Sequence, residues 1–379
     1  MRKLTYVVSS LMLIVNTSNA QDIKAFYIGH SLSDGVIDMV HSLSSLDDSV
    51  DFTFRYQTIP GSPLRWNWQA KDRDDYVVNN PFYCGFYHED YGLPSAEFTT
   101  LVLTESVPRF LSIIDDTYQY ADSFVNYALT FNPSTQIYIY EVWHCIKSAT
   151  PNPCDYDIPA SNWRQRLTDD LPMWESVVDT LNNRYNPTIP ICLIPVGQGL
   201  AALYDSIVAN VIPGITSIED LFDDDIDVND IGKYFIACIH FATIHKKSPV
   251  GLSNQLQNMW GTPYSNSPTN TQAQIFQEIA WKIANEYPKS CIDNQLPPTS
   301  VNNINNVNIF EIYPNPVEDY LKLKYVHSNV LTQNNEYQVL DATGRKCMEG
   351  TGNTIDVRKL SNGIYFIKSR NVVKKFYKK

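Results

Sequence analysis

Short apolar runs punctuate the first three quarters of the chain: AFYIG at 25–29, TTLVLTE at 99–105, QIYIYEV at 136–142 and PICLIPV at 190–196. Each is rich in Val, Ile, Leu and Tyr and lacks strict alternation, as strands covered on both faces do. VDFTFRYQ at 50–57 does alternate, which predicts a strand at a sheet edge. Between these runs, helical spacing covers Ser33–Leu46, Tyr118–Leu129, Trp163–Tyr185, Leu200–Val211, Ile231–Ile244 and Thr271–Tyr287. Strands alternating with helices predict an α/β domain, a parallel sheet with helices on both faces. Sites in such folds form beyond the carboxyl ends of the strands. Ser31 stands just past the end of the first one, in FYIGHSLSDGVIDMV at 26–40.

The grammar then changes. PKSCIDNQLPPTSVNNINNVN, 288–308, has the Asn- and Pro-rich composition of a linker. Beyond it come short alternating segments separated by Gly and Asn turns, which predict a small all-β sandwich. The expected division is a leader at 1–20, an α/β domain at 21–288, a linker at 289–308 and a β-sandwich at 309–379.

Charge separates the same two parts. The 379-residue chain has a net charge of -12, yet residues from Ile309 onward carry 12 Lys and Arg against 7 Asp and Glu. The remainder carries 17 against 34, an acidic body unsuited to nucleic acid or anionic membrane. The start, MRKLTYVVSSLMLIVNTSNAQ, has a basic end, an apolar middle and small residues before Gln21. It reads as a secretory signal peptide cut after Ala20. No other run is long and apolar enough to span a bilayer, so no transmembrane segment is expected in the mature chain. Export permits disulfides. Of the seven Cys, Cys145 and Cys154 bracket a short Pro-containing loop and form the best candidate pair. Cys192 and Cys238 sit in apolar runs and read as plain core residues.

The tail contains IYPNPVEDYLKLKY, YQVLDATGRKCMEG, IDVRKLSNGIYFIKS and the final KKFYKK. In this order they resemble the C-terminal sorting domain of type IX secretion substrates. The resemblance implies a Bacteroidetes-type bacterium, passage through the periplasm, and the type IX machinery as a partner. The expected location is the outer cell surface or the medium.

Gly29-His30-Ser31-Leu32 after a buried strand resembles the first motif block of the SGNH (GDSL-like) hydrolases. Gly61 in GSPLRW, LVLTESVP, YEVWH, IPVGQGL and LFDDDIDVNDIGKY follow in the family's order. The resemblance implies a three-layer α/β/α, flavodoxin-like fold and acyl transfer to water through Ser31, with the Ser31 N–H and Gly61 as oxyanion donors. Two blocks depart from the family. Its Gly-x-Asn-Asp block reads Leu103-Thr104-Glu105-Ser106 here, and an ionised Glu105 cannot donate. Its final Asp-x-x-His reads Asp224-Asp225-Ile226-Asp227, so Asp227 stands where the family has its catalytic His. A carboxylate with an ordinary pKa of about 3.9 is a weak base, though neighbouring carboxylates raise such a value. His144, at the end of the fourth strand, is the candidate substitute base.

The expected reading is therefore a secreted serine ester hydrolase, with a small-molecule or glycan ester as substrate. Its site residues are Ser31, Asp224, Asp227 and His144, with Gly61 and Glu105 toward the oxyanion or substrate. No metal, cofactor or nucleic acid is expected. The alternative is a catalytically silent relative that binds a glycan or other surface ligand. Three further features keep two readings at this stage. Acidic residues 223–230 are a solvated loop or a Ca²⁺ site, and aromatics at 56–87 are core packing or a wall for a sugar or acyl group. Glu105 is a polar site residue or an anion at a helix N-terminus.

Overall fold

The computed structural model describes residues 21–72, 81–107, 111–152, 154, 161–292, 309–326, 336–341, 345–369 and 372–379. The expected signal peptide and most of the expected linker lie outside the described residues. The chain divides into two compact units, within 1–294 and 295–379.

Five parallel strands form the sheet of the first unit. They are β1 (Gln21–Gly29), β2 (Val50–Thr58), β3 (Thr100–Thr104), β4 (Gln136–Tyr140) and β5 (Cys192–Ile194), in the order β2-β1-β3-β4-β5. β2 lies at an edge, as its alternation predicts, and its outer half alternates buried and exposed residues. β3 is buried throughout, because helices cover both of its faces.

Among the described residues, eight α-helices accompany the strands: α1 (Val36–Ser44), α2 (Leu64–Gln69), α3 (Leu111–Phe131), α4 (Trp163–Asp169), α5 (Leu171–Tyr185), α6 (Val196–Val208), α7 (Asp230–His245) and α8 (Asn270–Glu286). The chain steps outward from β1 to β2, then crosses back to β3 and onward to β5. Right-handed crossovers therefore put α1 on one face and α2, α3 and α5 on the other. Packing follows this division. α7 lies against α1 and α8, while α3 lies against α2 and α5. The direction of winding reverses at β1, so the crevice beyond the ends of β1 and β3 is the topological switch point.

α3 begins seven residues before its expected start at Tyr118; three further local features depart from the sequence-based expectations. The run 163–185 is two helices, because Pro172 lacks the N–H a continuing helix needs and instead opens α5 at its start. α6 begins four residues earlier than its apolar spacing predicts, at Val196. Its first turn is anchored by the buried Glu141 carboxyl, which accepts from the Gln198 N–H and side-chain amide at 3.2 and 2.7 Å. Burial pushes that carboxyl up to about 8. The third departure is Cys192, which is bonded to Cys291 rather than being a plain core thiol. Periodicity registers burial and not a bonding partner 99 residues away. This bridge ties β5 to the segment after α8, and closing a loop of that length is worth about 4–5 kcal/mol in the chain-entropy account. Cys145–Cys154 is bonded as expected, and Cys238 is a buried free thiol.

The second unit is a sandwich of two antiparallel sheets, of three and four strands. Val317, Leu321, Val339, Ile355, Ile367 and Phe376 fill its interior. No helix among the described residues is long and apolar enough to cross a membrane.

Candidate active site

β1 ends at Gly29 because only a residue without Cβ fits there. A methyl group would come within 2.6 Å of Ser33 Oγ and 2.9 Å of Thr104 Cβ. The chain then makes one 3-10 turn, Ser31–Ser33, before α1. His30 caps it: Nδ1 accepts from the Leu32 N–H at 3.4 Å, and Nε2 donates to the Glu105 carbonyl at 3.0 Å. The imidazole next to the nucleophile candidate thus fixes the turn and links it to the end of β3. Tyr140 on β4 adds a hydroxyl bond to the Leu32 carbonyl at 3.2 Å. As the first residue of the turn, Ser31 keeps its own N–H out of the turn's internal hydrogen bonds.

Asp227 reaches Ser31 from the loop before α7. Phe222 pairs with Val228 across a tight reversal, and the Asp223 N–H donates to the Asp227 carbonyl at 2.9 Å. Asp224 Oδ1 accepts from the Ile226 and Asp227 N–H groups at 2.8 and 2.7 Å. Two bonds from the end of β4 hold the loop down: Trp143 Nε1 to the Ile226 carbonyl at 2.7 Å, and Ile146 N–H to the Asp225 carbonyl at 2.8 Å. In that setting the Asp227 carboxylate and the Ser31 side chain face the same cavity, near enough for the hydroxyl to favour the ionised carboxylate. Burial, then the Asp224 carboxylate, raises Asp227 above the usual carboxylate value, while the Ser31 hydroxyl and the Lys233 ammonium pull it back down. Ser31, Asp227, Asp34 and Lys233 line one cavity of about 220 Å³.

Of the residues singled out from the sequence, Ser31 and Asp227 therefore meet, with Asp224 bracing the second. The others serve elsewhere. His144 is buried, with Nδ1 3.0 Å from Arg166 Nη2. A guanidinium only donates, so Nδ1 accepts, and the ring proton sits on Nε2, which faces the Asp170 carboxylate. Neither nitrogen is available to deprotonate Ser31, which removes His144 as substitute base. Glu105 does not face this cavity either. Its carboxyl accepts from the Leu64 N–H at 3.1 Å, the Ser106 N–H at 2.7 Å and Thr117 Oγ1 at 2.9 Å, which makes it an anion at the start of α2. Gly61 has φ +64°, a left-handed turn that favours glycine, but it is not among the residues lining the Ser31 cavity. The turn around it is bound to the Gly29 carbonyl by Ile59 N–H, Ser62 Oγ and Asn67 Nδ2 at 3.1, 3.2 and 3.0 Å.

Sequence reasoning missed Lys233 and Asp34. Lys233 carried no signal beyond its place inside NDIGKY. Asp34 lies in plain view three residues after Ser31, in a stretch where attention falls on the serine. The acidic loop spends its charge locally: Asp225 pairs with Lys147 at 2.7 Å and Asp224 caps backbone N–H groups. Among the described residues, no group of three or more His, Cys, Asp or Glu could hold a metal ion.

The first unit shares its fold with a DUF4886 family protein from Bacteroides uniformis, at TM-score 0.51 and 16% identity, over 71% of this chain and 96% of that one. A protein described as a GDSL-like lipase, from Parabacteroides merdae, aligns at TM-score 0.38 and 13% identity, over 58% and 94% of the two chains. A family 3 carbohydrate esterase from Clostridium thermocellum aligns at TM-score 0.36 and 10% identity, over 60% and 97%. No curated protein matches this chain in sequence. Residues 311–379 match the family model of the secretion system C-terminal sorting domain. The chain carries at its C-terminus a sorting domain that directs its export through the type IX secretion system to the cell surface or beyond.

Proposed function

We propose that the first unit is a secreted serine ester hydrolase in which Asp227 does the work that an imidazole does in the SGNH family. One observation carries this reading: Ser31 and Asp227 line one cavity at the switch point of the sheet, with the hydroxyl near enough to act on the carboxylate. A serine hydroxyl becomes a nucleophile when a base takes its proton as it attacks.

In the proposed cycle Ser31 Oγ attacks the ester carbonyl carbon while its proton passes to Asp227. The carbonyl oxygen becomes an oxyanion, met by the Ser31 N–H and by Lys233, the cationic residue of the lining. Collapse breaks the bond to the leaving oxygen, and the neutral Asp227 carboxylic acid returns the proton to that alkoxide. Water then attacks the acyl-Ser31 carbonyl, again giving its proton to Asp227, and the second collapse frees the acid and restores the serine. Asp227 is a weaker base than imidazole but, once protonated, a stronger acid. Its raised pKa narrows the gap on the base side.

The base must be ionised, so turnover is lost as the pH falls through the Asp227 pKa. Full-length chain acting on p-nitrophenyl acetate from about pH 4 to about pH 9 should show kcat/KM rising with one ionisation above the ordinary carboxylate range. Absence of turnover, or a profile that keeps climbing in proportion to hydroxide, contradicts the reading.

A further inference from the structure

A second cavity, of about 450 Å³, opens next to the first and shares Asp34 with it. That volume suits a small-molecule site. Its lining joins the C-terminal end of β2 (Tyr56, Thr58), the first turn of α1 (Asp38), Tyr83 and Met259. Asp38 is the unusual member. It is only 8% exposed, and among the described residues its Oδ1 has no hydrogen-bond partner. Burial pushes this carboxyl up to about 6, and the nearby Met259 backbone offsets only part of that. An orphaned carboxylate oxygen in a buried position is costly unless something donates to it.

Met259 of the lining is followed in the chain by Trp260, 66% exposed. It sits at the tip of a turn built to present it. Asn258 Oδ1 accepts from the Trp260 and Thr262 N–H groups, both at 3.0 Å, and Gly261 takes φ +77°. The indole meets Phe82 edge-on, at 5.3 Å between centroids, and Phe82 adjoins Tyr83 as Trp260 adjoins Met259. Tyr56 and Tyr83 pack edge-to-face at 5.0 Å. The combination is one exposed indole, braced by edge-to-face rings, beside a cavity that holds a buried hydrogen-bond acceptor.

We propose that this cavity holds a neutral sugar ring of the ester substrate, whose hydroxyl donates to Asp38 Oδ1 while its C–H face lies on Trp260 and Tyr83. The proposal rests on the ester-hydrolase reading and gives that reading a substrate class. A hydroxyl fits better than an ammonium group, because it supplies the missing donor without removing a second charge from water. Among the described residues, no set of ligands for a metal ion is present. The shared Asp34 puts an acyl group carried on such a sugar within the adjoining cavity, beside Ser31.

Two esters test this: p-nitrophenyl acetate, which has no sugar, and acetylated cellotriose. Asp38→Asn and Trp260→Ala should each lower kcat/KM for the sugar ester at least tenfold more than for p-nitrophenyl acetate, mainly through KM. Equal losses on both esters, or no loss on either, overturn the subsite. If the wild-type chain hydrolyses neither ester, the hydrolase reading fails and the subsite is judged by binding alone. Saturation-transfer NMR of the full chain with mixed cello-, xylo- and manno-oligosaccharides should then show contacts that Trp260→Ala abolishes. No contact, or displacement by tetramethylammonium at lower concentration than by the sugars, overturns it.

Discussion

Ser31→Ala lowers the turnover of p-nitrophenyl acetate by at least about 10³-fold while the chain stays folded. The rate falls because no other atom in the cavity replaces Oγ. Lys233 is held near Asp227 as a cation, Thr58 lies toward the neighbouring cavity, and Asp34 is a carboxylate. The oxyanion groups survive the substitution and sustain only the residual rate that a hole without a nucleophile gives. Folding is spared because the bonds that His30 and Tyr140 make to the turn use its backbone, and Glu105 bonds the His30 ring, none of them through the Ser31 hydroxyl. Ser31 is half-buried, and alanine leaves no unpaired buried group behind except a carboxylate edge that water reaches. Thermal unfolding measured alongside the rate separates the two effects. Unchanged turnover rejects Ser31 as nucleophile.

The second large effect concerns the base. Asp227→Asn keeps the shape of the side chain and an oxygen able to accept from Ser31, but an amide oxygen is too weakly basic to take the proton. General base catalysis is worth about 10²–10⁴-fold, and kcat should fall by that amount with KM little changed. Asp227→His tests the same position from the other side. The loop at 223–228 is fixed by its backbone and by Trp143, so a larger side chain at its half-buried tip leaves the loop intact. Imidazole is the better base, so the variant should equal or exceed the wild type by up to about 10²-fold. A gain of about 10⁴-fold from an undetectable wild-type rate would instead identify a silent relative whose cleft now only binds.

The fold was legible because both-face burial leaves a signature in composition. AFYIG, LVLT, IYIY and CLI read as continuous apolar runs, and the alternation of VDFTFRYQ marks the edge. The serine was legible because a strand ending in Gly-His-Ser has a location that chain order fixes. Ligand-side chemistry was less so. Asp38 lies in the first turn of α1 and Asp34 just before that helix, and no sequence period distinguishes a carboxylate turned into a cavity from one turned to solvent. His144 shows the converse. Its position after β4 suited a base, and only the coordinates bring Arg166, from α4, onto its lone pair. The aromatic stretch divides in the same unreadable way. Trp68 and Phe86 stack into the core with Phe124, Tyr56 and Tyr83 line the second cavity, and Tyr76 lies outside the described residues.

The central claim is that Asp227 makes the Ser31 oxygen nucleophilic, and a covalent trap reports on that oxygen directly. Full-length chain is treated with a fluorophosphonate, digested and mapped by mass spectrometry. One phosphonylated site is expected, Ser31, formed in the wild type and slowed at least about 10²-fold in Asp227→Asn. An adduct on another residue, or labelling of Ser31 at the same rate in both proteins, would contradict it.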